Sequence, residues 1–247
     1  MKSAGVGEGQ LSYQGGGDVK YIVSFSGGKD STCMLIELIK RDCQIDEIVF
    51  CDTGAEFEQL YEHLELVKQK LGVPITTLQN KKGDFFYWAF EHIRTKGKNK
   101  GIRGYGLPRV NSNFRWCTER LKRDPARAYL NRKYGSGNYI EYIGFAFNEQ
   151  QRMRTDLYPL VYWGFDEKDT LNICYKAGFH WDGLYKIFDR VSCWLCPYKN
   201  RQEKENMRKY FPELYFRSIE MENRTDEIER LLEKRGKEKS TACKEDE

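Results

Sequence analysis

Nine residues, Ser24-Phe25-Ser26-Gly27-Gly28-Lys29-Asp30-Ser31-Thr32, stand between two apolar runs, Tyr21-Ile22-Val23 and Cys33-Met34-Leu35-Ile36. The flanking runs predict a buried strand over 20–25 and a helix over 29–41. A strand that ends in small polar residues and opens a helix builds an anion site. Successive backbone N–H groups and the helix N-terminus then point at the ligand. Gly27 and Gly28 permit positive φ and the close approach of a phosphate. Ser24, Ser26, Ser31 and Thr32 offer hydroxyls, and Lys29 offers a positive charge. A helix cap alone needs one such residue. The spacing G-x-x-x-x-G-K-[ST] is absent, so this is not the ordinary γ-phosphate loop.

Further strands are predicted at 46–52, 73–78 and 139–145. An amphipathic helix over 55–71 carries Leu60, Leu64, Val67 and Leu71 at helical spacing and ends before Gly72. Strands alternating with helices give an α/β, Rossmann-like fold with a parallel sheet. Its ligand belongs at the carboxyl ends of the strands. Asp52-Thr53-Gly54, closing the second strand, falls at such an end, as does the 24–32 loop. Segment 79–138 reads as a basic insertion over that edge, with Phe85, Phe86, Tyr87, Trp88 and Phe90 as the core of a capping helix. Residues 166–178 and 202–235 read as helices. The expected division is a flexible leader over 1–17, an α/β domain over 18–165, a cysteine-bearing helical region over 166–235 and a flexible tail over 236–247.

No run of about 18 apolar residues exists to span a membrane, and the N-terminus lacks an apolar signal core. The expected location is cytoplasmic. Net charge is +4, but residues 94–133 hold thirteen Lys or Arg against two acids, Glu119 and Asp124. That segment alone is +11 and the remainder −7, so its field draws polyanions, nucleic acid among them. A solvated surface loop is the simpler alternative. Arg152 and Arg154 suit either phosphates or surface salt bridges.

Eight cysteines in a cytoplasmic chain argue against a disulfide framework. Cys33 and Cys51 sit in apolar segments and read as core; Cys43 carries no assignment. Cys193-Trp194-Leu195-Cys196 is different. Two residues between thiolates let both face one metal or cluster. Cys117, among cations that favour its thiolate, is the candidate third ligand.

These motifs carry a resemblance. Ser26-Gly27-Gly28-Lys29-Asp30-Ser31 resembles the pyrophosphate loop of the adenine-nucleotide α-hydrolase superfamily, whose members cleave ATP between the α and β phosphates. Asp52-Thr53-Gly54-Ala55-Glu56 resembles the same group's second motif. Cys117 with Lys122 and Pro125, the distant Cys193/Cys196 pair, and Tyr158-Pro159-Leu160-Val161-Tyr162-Trp163 resemble the phosphoadenosine-phosphosulfate reductase family, over roughly residues 20–200. Thr118 stands where cluster-bearing members have a second cysteine. The resemblance implies a 4Fe–4S cluster on Cys117, Cys193 and Cys196, with one iron open to a sulfide or closed by Cys174, which on its helix beside Tyr175 equally suits a buried apolar role. Zinc on the same cysteines, completed by His180, is the alternative.

The reductases keep their nucleophile in a C-terminal Glu-Cys-Gly-x-His segment. Here Cys243 lacks the Gly and His. Their loops typically lack the intact Gly-Gly-Lys-Asp that this chain retains. The resemblance therefore implies ATP with Mg²⁺, Lys29 on the departing pyrophosphate and Asp30 beside the Mg²⁺. The activity it implies is that of an adenylating sulfurtransferase acting on nucleic acid through 94–133, fed by a sulfur donor such as a cysteine desulfurase. Two alternatives stand beside it: a sulfonucleotide reductase using Cys243, and a non-catalytic zinc module that binds nucleic acid.

Overall fold

In the computed structural model, the described residues are 6–7, 10–11, 19–110 and 115–245, with side chains described for 19–110 and 115–235. Four strands form one sheet: β1 (Lys20–Ser24), β2 (Glu47–Cys51), β3 (Thr76–Leu78) and β4 (Tyr139–Ile143). Their order is β3-β2-β1-β4, every pair parallel. This is the α/β, Rossmann-like sheet that the alternating pattern predicts. Strands covered on both faces read as continuous apolar runs rather than alternating ones. Ile22 and Val23 of β1 are accordingly fully buried.

Helix α1 (Lys29–Lys40) follows β1, and α2 (Glu58–Leu71) follows β2. The second helix starts three residues later than predicted, because Phe57 is in extended conformation and buried. One face of the sheet packs Ile22 and Val49 against Leu130 of α3 (Asp124–Tyr134). That helix lies within the 79–138 segment read as a basic insertion. Its low apolar content hides it: Leu130 is its one buried side chain.

The chain divides into two units. The first comprises Met1–Asp52, Glu56–Leu78 and Lys122–Ser192; the second comprises Thr53–Ala55, Gln79–Leu121 and Cys193–Glu247. This differs from the expected boundary at 165. Helix α4 (Glu167–Lys176) belongs with the sheet because Thr170 and Cys174 bond to the start of α1. In the second unit, Tyr87–Glu91 forms one π-helical turn whose Trp88, Ala89 and Phe90 are buried, with Phe85 beside them. The aromatic run is core, as its apolar mass suggests. Residues 202–235 are two helices, α5 (Arg201–Tyr210) and α6 (Pro212–Glu245), and not one. Pro212 disfavours helical conformation at Phe211, which is the break.

Helix α6 continues through the segment expected to be a flexible tail, to Glu245. Of the expected leader, Val6–Gly7 and Gln10–Leu11 pair as a short antiparallel ribbon, and the rest lies outside the described residues. No helix among the described residues is long and apolar enough to cross a membrane.

A buried carboxylate pins α3 to the sheet. Glu47 accepts hydrogen bonds from Tyr129 (2.6 Å), Tyr134 (2.8 Å), Thr76 (2.8 Å) and Lys133 (3.0 Å). Burial alone would raise its pKa; the four donors outweigh burial and lower it. A depressed folded pKa stabilises the protein above the unfolded value near 4.3, and that stabilisation fades as pH falls through the folded value. Glu47→Gln is expected to cost about 1–3 kcal/mol at pH 7. The gap from the parent should narrow in acid, measured by urea unfolding between pH 7 and 3. A gap independent of pH would contradict the role of the charge.

Candidate functional site

The loop between β1 and α1 is held by its own side chains and by elements that return to it from far along the chain. Gly27 has φ +76, and a Cβ there would stand 2.9 Å from Leu60 Cδ1. Left-handed geometry and crowding both demand glycine. The Gly27 carbonyl accepts from Trp181 Nε1 at 2.7 Å. Ser31 Oγ donates to the Gly28 carbonyl (3.1 Å), accepts from Ser26 N (3.2 Å), and lies 3.0 Å from Ser26 Oγ. Thr32 Oγ1 is 2.9 Å from His63 Nε2. Burial pushes that imidazole down to about 3, so His63 is a neutral packing group and not a proton shuttle. Gly27→Ala is expected to destabilise the fold by about 1–3 kcal/mol through strain and crowding, read as a lower urea midpoint; an unchanged midpoint would contradict the left-handed geometry.

Several residues here carry no sequence signal. Tyr185 Oη accepts from Lys29 N at 2.6 Å, capping a helix-terminal amide. Gly144, just past β4, lies so close to α1 that a Cβ would sit 3.0 Å from the Ser31 backbone. Glu167 reaches Lys29 Nζ at 3.2 Å, while both oxygens of Asp30 take the same ammonium at 2.8 and 3.0 Å. Thr170 Oγ1 donates to Asp30 at 2.6 Å. Lys29 is thus buried in a clamp of two carboxylates. Burial raises the Glu167 carboxyl, but an Asn148 hydrogen bond and the Lys29 charge outweigh it and leave the group below its ordinary range.

Beside the loop, at the carboxyl ends of β1, β2 and β4, lies a cavity of about 400 Å³. Ser24, Phe25 and Ser26 form one wall, and Lys122, Arg123 and Arg127 bring positive charge. Two carboxyls face the same space. Burial raises both Glu141 and Asp156, and each group has a partner that opposes the shift: Ser24 for Glu141, Arg154 for Asp156. Ser24 Oγ donates to Glu141. The volume suits a small ligand, and strand ends are where one is expected. At the end of β2, Asp52 accepts from Tyr61 Oη at 2.7 Å. In the second unit, the Thr53 carbonyl accepts from Phe85 N, and Gly54, at φ +75, lies against Asp84.

The cysteines separate into two kinds. Cys33, Cys43 and Cys174 are buried. Burial pushes the Cys33 thiol up to about 12 and the Cys51 thiol up to about 11. Cys51 donates to the Lys122 carbonyl and Cys174 to the Lys29 carbonyl, each at 3.3 Å. Burial also drives the Cys174 thiol up, so Cys174 is a packing thiol beneath the loop. His180 stacks on Tyr175 with ring centroids 5.1 Å apart.

Cys117, Cys193 and Cys196 are half-buried and all belong to the second unit. Cys193 and Cys196 share one turn, closed by a 3.0 Å bond from Cys196 N to the Cys193 carbonyl. Their segment and that of Cys117 meet a common aromatic cluster. Trp116 packs on Phe85, Phe85 on Phe86, and Phe86 on Trp194, with centroids 5.1 to 5.9 Å apart. The Arg115 guanidinium lies over Tyr198 at 4.9 Å. Among the described residues no group of three or more His, Cys, Asp or Glu is placed to hold a metal ion. The side chain of Cys243 lies outside the described residues. Arg152 pairs with Glu149 and covers Phe145 at 4.2 Å, a surface ion pair.

Comparison with known proteins agrees with this geometry. Residues 20–98 match the family model described as the phosphoadenosine phosphosulfate reductase domain. An uncharacterized protein of Methanocaldococcus jannaschii is 27% identical over 218 residues, covering 78% of this chain and 39% of the relative. A second from that organism is 25% identical over 211 residues, covering 80% and 46%. An uncharacterized nin region protein of Escherichia phage lambda is 31% identical over 147 residues, covering 54% and 50%. The chain thus spans half or less of the length of these curated relatives. The matched stretch holds the glycine loop, α1, β2 and the Asp52-Thr53-Gly54 turn, and over it the chain is similar to the phosphoadenosine phosphosulfate reductase domain.

Proposed function

We propose that the protein is an ATP-dependent sulfurtransferase that adenylates a nucleic-acid acceptor. The loop at Ser26–Thr32 carries this reading. It retains both glycines and the Lys-Asp pair, beside a cavity of about 400 Å³ at the strand ends. The polyphosphate of ATP lies along the loop, and Glu141 and Asp156 accept from the hydroxyls or amines of the nucleoside. An acceptor oxygen attacks the α-phosphorus; the bond from that phosphorus to the bridging oxygen breaks, and pyrophosphate leaves with the electron pair. Lys29, drawn from its clamp by the stronger phosphate charge, offsets the charge developing on the leaving group. Asp30, released with it, is then a carboxylate available to Mg²⁺. Sulfide later displaces AMP from the acceptor.

The same proposal takes Cys117, Cys193 and Cys196 as the residues that would hold a 4Fe–4S cluster, which requires their thiols to converge from their present positions, since among the described residues no three such groups surround one centre. Support comes from the thiolate chemistry of the set and from the aromatic cluster their two segments share. When bound, the cluster supplies the sulfur-carrying centre. The cytoplasm, where thiols stay reduced, suits half-buried thiol ligands of this kind.

Reduction of a sulfonucleotide is the second reading, favoured by the description of the matched family. Cys243→Ser separates the two, since a reductase dies and the transferase survives. The test of the first reading is anaerobic purification with iron, sulfide and zinc analysis, followed by a pyrophosphate-release assay with ATP and nucleic acid. The expected result is iron with an absorption band near about 400 nm and release that depends on both substrates. A colourless zinc protein that releases no pyrophosphate would overturn it in favour of a binding module.

A further inference from the structure

The second unit contains a cleft of about 770 Å³ whose floor is aromatic and whose rim is cationic. Trp88, His92, Tyr105 and Trp116 form one stack. Tyr105 lies nearly parallel to Trp88, with centroids 6.1 Å apart, and 6.0 Å from Trp116; His92 sits 4.4 Å from Trp88. Trp88 and Trp116 are buried, while Tyr105 is half-buried.

Cations are laid on this floor. The Arg94 guanidinium is 5.0 Å from the Tyr105 ring centre, and Arg120 and Lys82 stand over Trp88 at 5.4 and 5.9 Å. Arg94 is fixed further by a 2.8 Å bond from Nε to the Gly104 carbonyl. Lys96 and Lys98 extend the rim, and Glu229 and Glu233 of α6 supply the opposing charge, with Arg109 paired to Glu229.

Arg94 is the telling residue. It is half-buried, and among the described residues no carboxylate pairs with it. A desolvated cation without a counter-ion costs free energy that an anionic ligand recovers. Burial lowers its pKa. His92 is lowered by burial and then by Lys82, Arg120 and Arg94, which shows the cleft repelling further positive charge. The Trp88 Nε1 donor is buried with no partner among the described residues, a group that a ligand oxygen would satisfy.

From this arrangement we infer that the cleft binds single-stranded nucleic acid, its phosphates on Arg94, Arg120 and Lys82 and an unstacked base on the Tyr105 and guanidinium faces. Guanidinium planes backed by aromatic rings accept both phosphates and bases. A duplex keeps its bases stacked and offers the floor nothing. The inference deepens the proposal above by giving the acceptor its docking site, and rests on it only for the acceptor's role. Because binding is measured without ATP, failure here and failure of adenylation are separate results.

The experiment is fluorescence anisotropy of labelled single-stranded DNA and RNA 12-mers on the full chain, alongside the matching duplex and an abasic strand of equal charge. Single strands are expected to bind at least fivefold tighter than the duplex or the abasic strand, with affinity falling as salt rises. The DNA and RNA arms tell which backbone is preferred. Arg94→Gln with Lys82→Gln is expected to weaken binding tenfold or more with the urea midpoint unchanged. Should that pair unfold, Lys82→Gln alone is expected to weaken binding at least threefold. Equal affinity for abasic and base-bearing strands, tighter binding of duplex, or full affinity in the folded variants would overturn the inference.

Discussion

Lys29→Ala is expected to reduce ATP-dependent pyrophosphate release by about a hundredfold or more, the usual cost of removing one preorganised charge from a transition state. Lys29 is buried and held by Asp30 and Glu167. The same substitution therefore leaves two carboxylates facing one another. Part of that cost is relieved by water, because the Glu167 side chain is 45% exposed. A stability loss of about 1–2 kcal/mol is expected. The double variant Lys29→Ala/Glu167→Gln should recover much of the stability and none of the activity. Recovery of both would make Lys29 a structural cation. Pyrophosphate release and urea midpoints on the same samples separate the outcomes.

Cys193→Ser with Cys196→Ser is expected to abolish iron binding and sulfur transfer while leaving pyrophosphate release within about threefold of the parent. Adenylation precedes sulfur delivery, so a cluster that serves only the second step is dispensable for the first. Serine is close in shape to cysteine, so the packing of Trp194 on Phe86 should persist. Its hydroxyl is a far poorer ligand for iron than a thiolate. Iron analysis, a single-turnover pyrophosphate assay and thionucleotide detection read the three quantities. Retained iron would move the cluster away from this turn. Loss of all activity with an intact fold would place the cysteines in the adenylation step itself.

What the sequence revealed and what it hid follow from the range of the interactions involved. The sheet was legible because strands buried on both faces show as apolar runs, and the loop because Gly27, Gly28, Lys29 and Asp30 are adjacent in the chain. The clamp on Lys29 was not legible. Glu167 and Thr170 come from a helix about 140 residues away, and no local pattern marks a glutamate at a helix start as a lysine partner. Tyr185 and Gly144 were hidden for the same reason, their roles existing only once the chain returns to α1. Helix α3 escaped because one leucine and a tyrosine–lysine network fix it, which leaves no apolar stripe. Pro212 was a local signal that the periodicity of 202–235 overshadowed. Cys174 was legible both as a fourth ligand and as a packing thiol on a helix, and its burial beneath the loop decides for packing.

The most direct measurement for the central claim is a crystal structure with Mg²⁺ and an ATP analogue bearing a methylene bridge between the α and β phosphates. The triphosphate is expected along Ser26–Thr32, with Lys29 Nζ turned from Glu167 to a β or γ phosphate oxygen and the nucleoside in the cavity bordered by Glu141 and Asp156. An analogue bound elsewhere, or a loop still closed around the Lys29–Asp30–Glu167 clamp at saturating analogue, would contradict it.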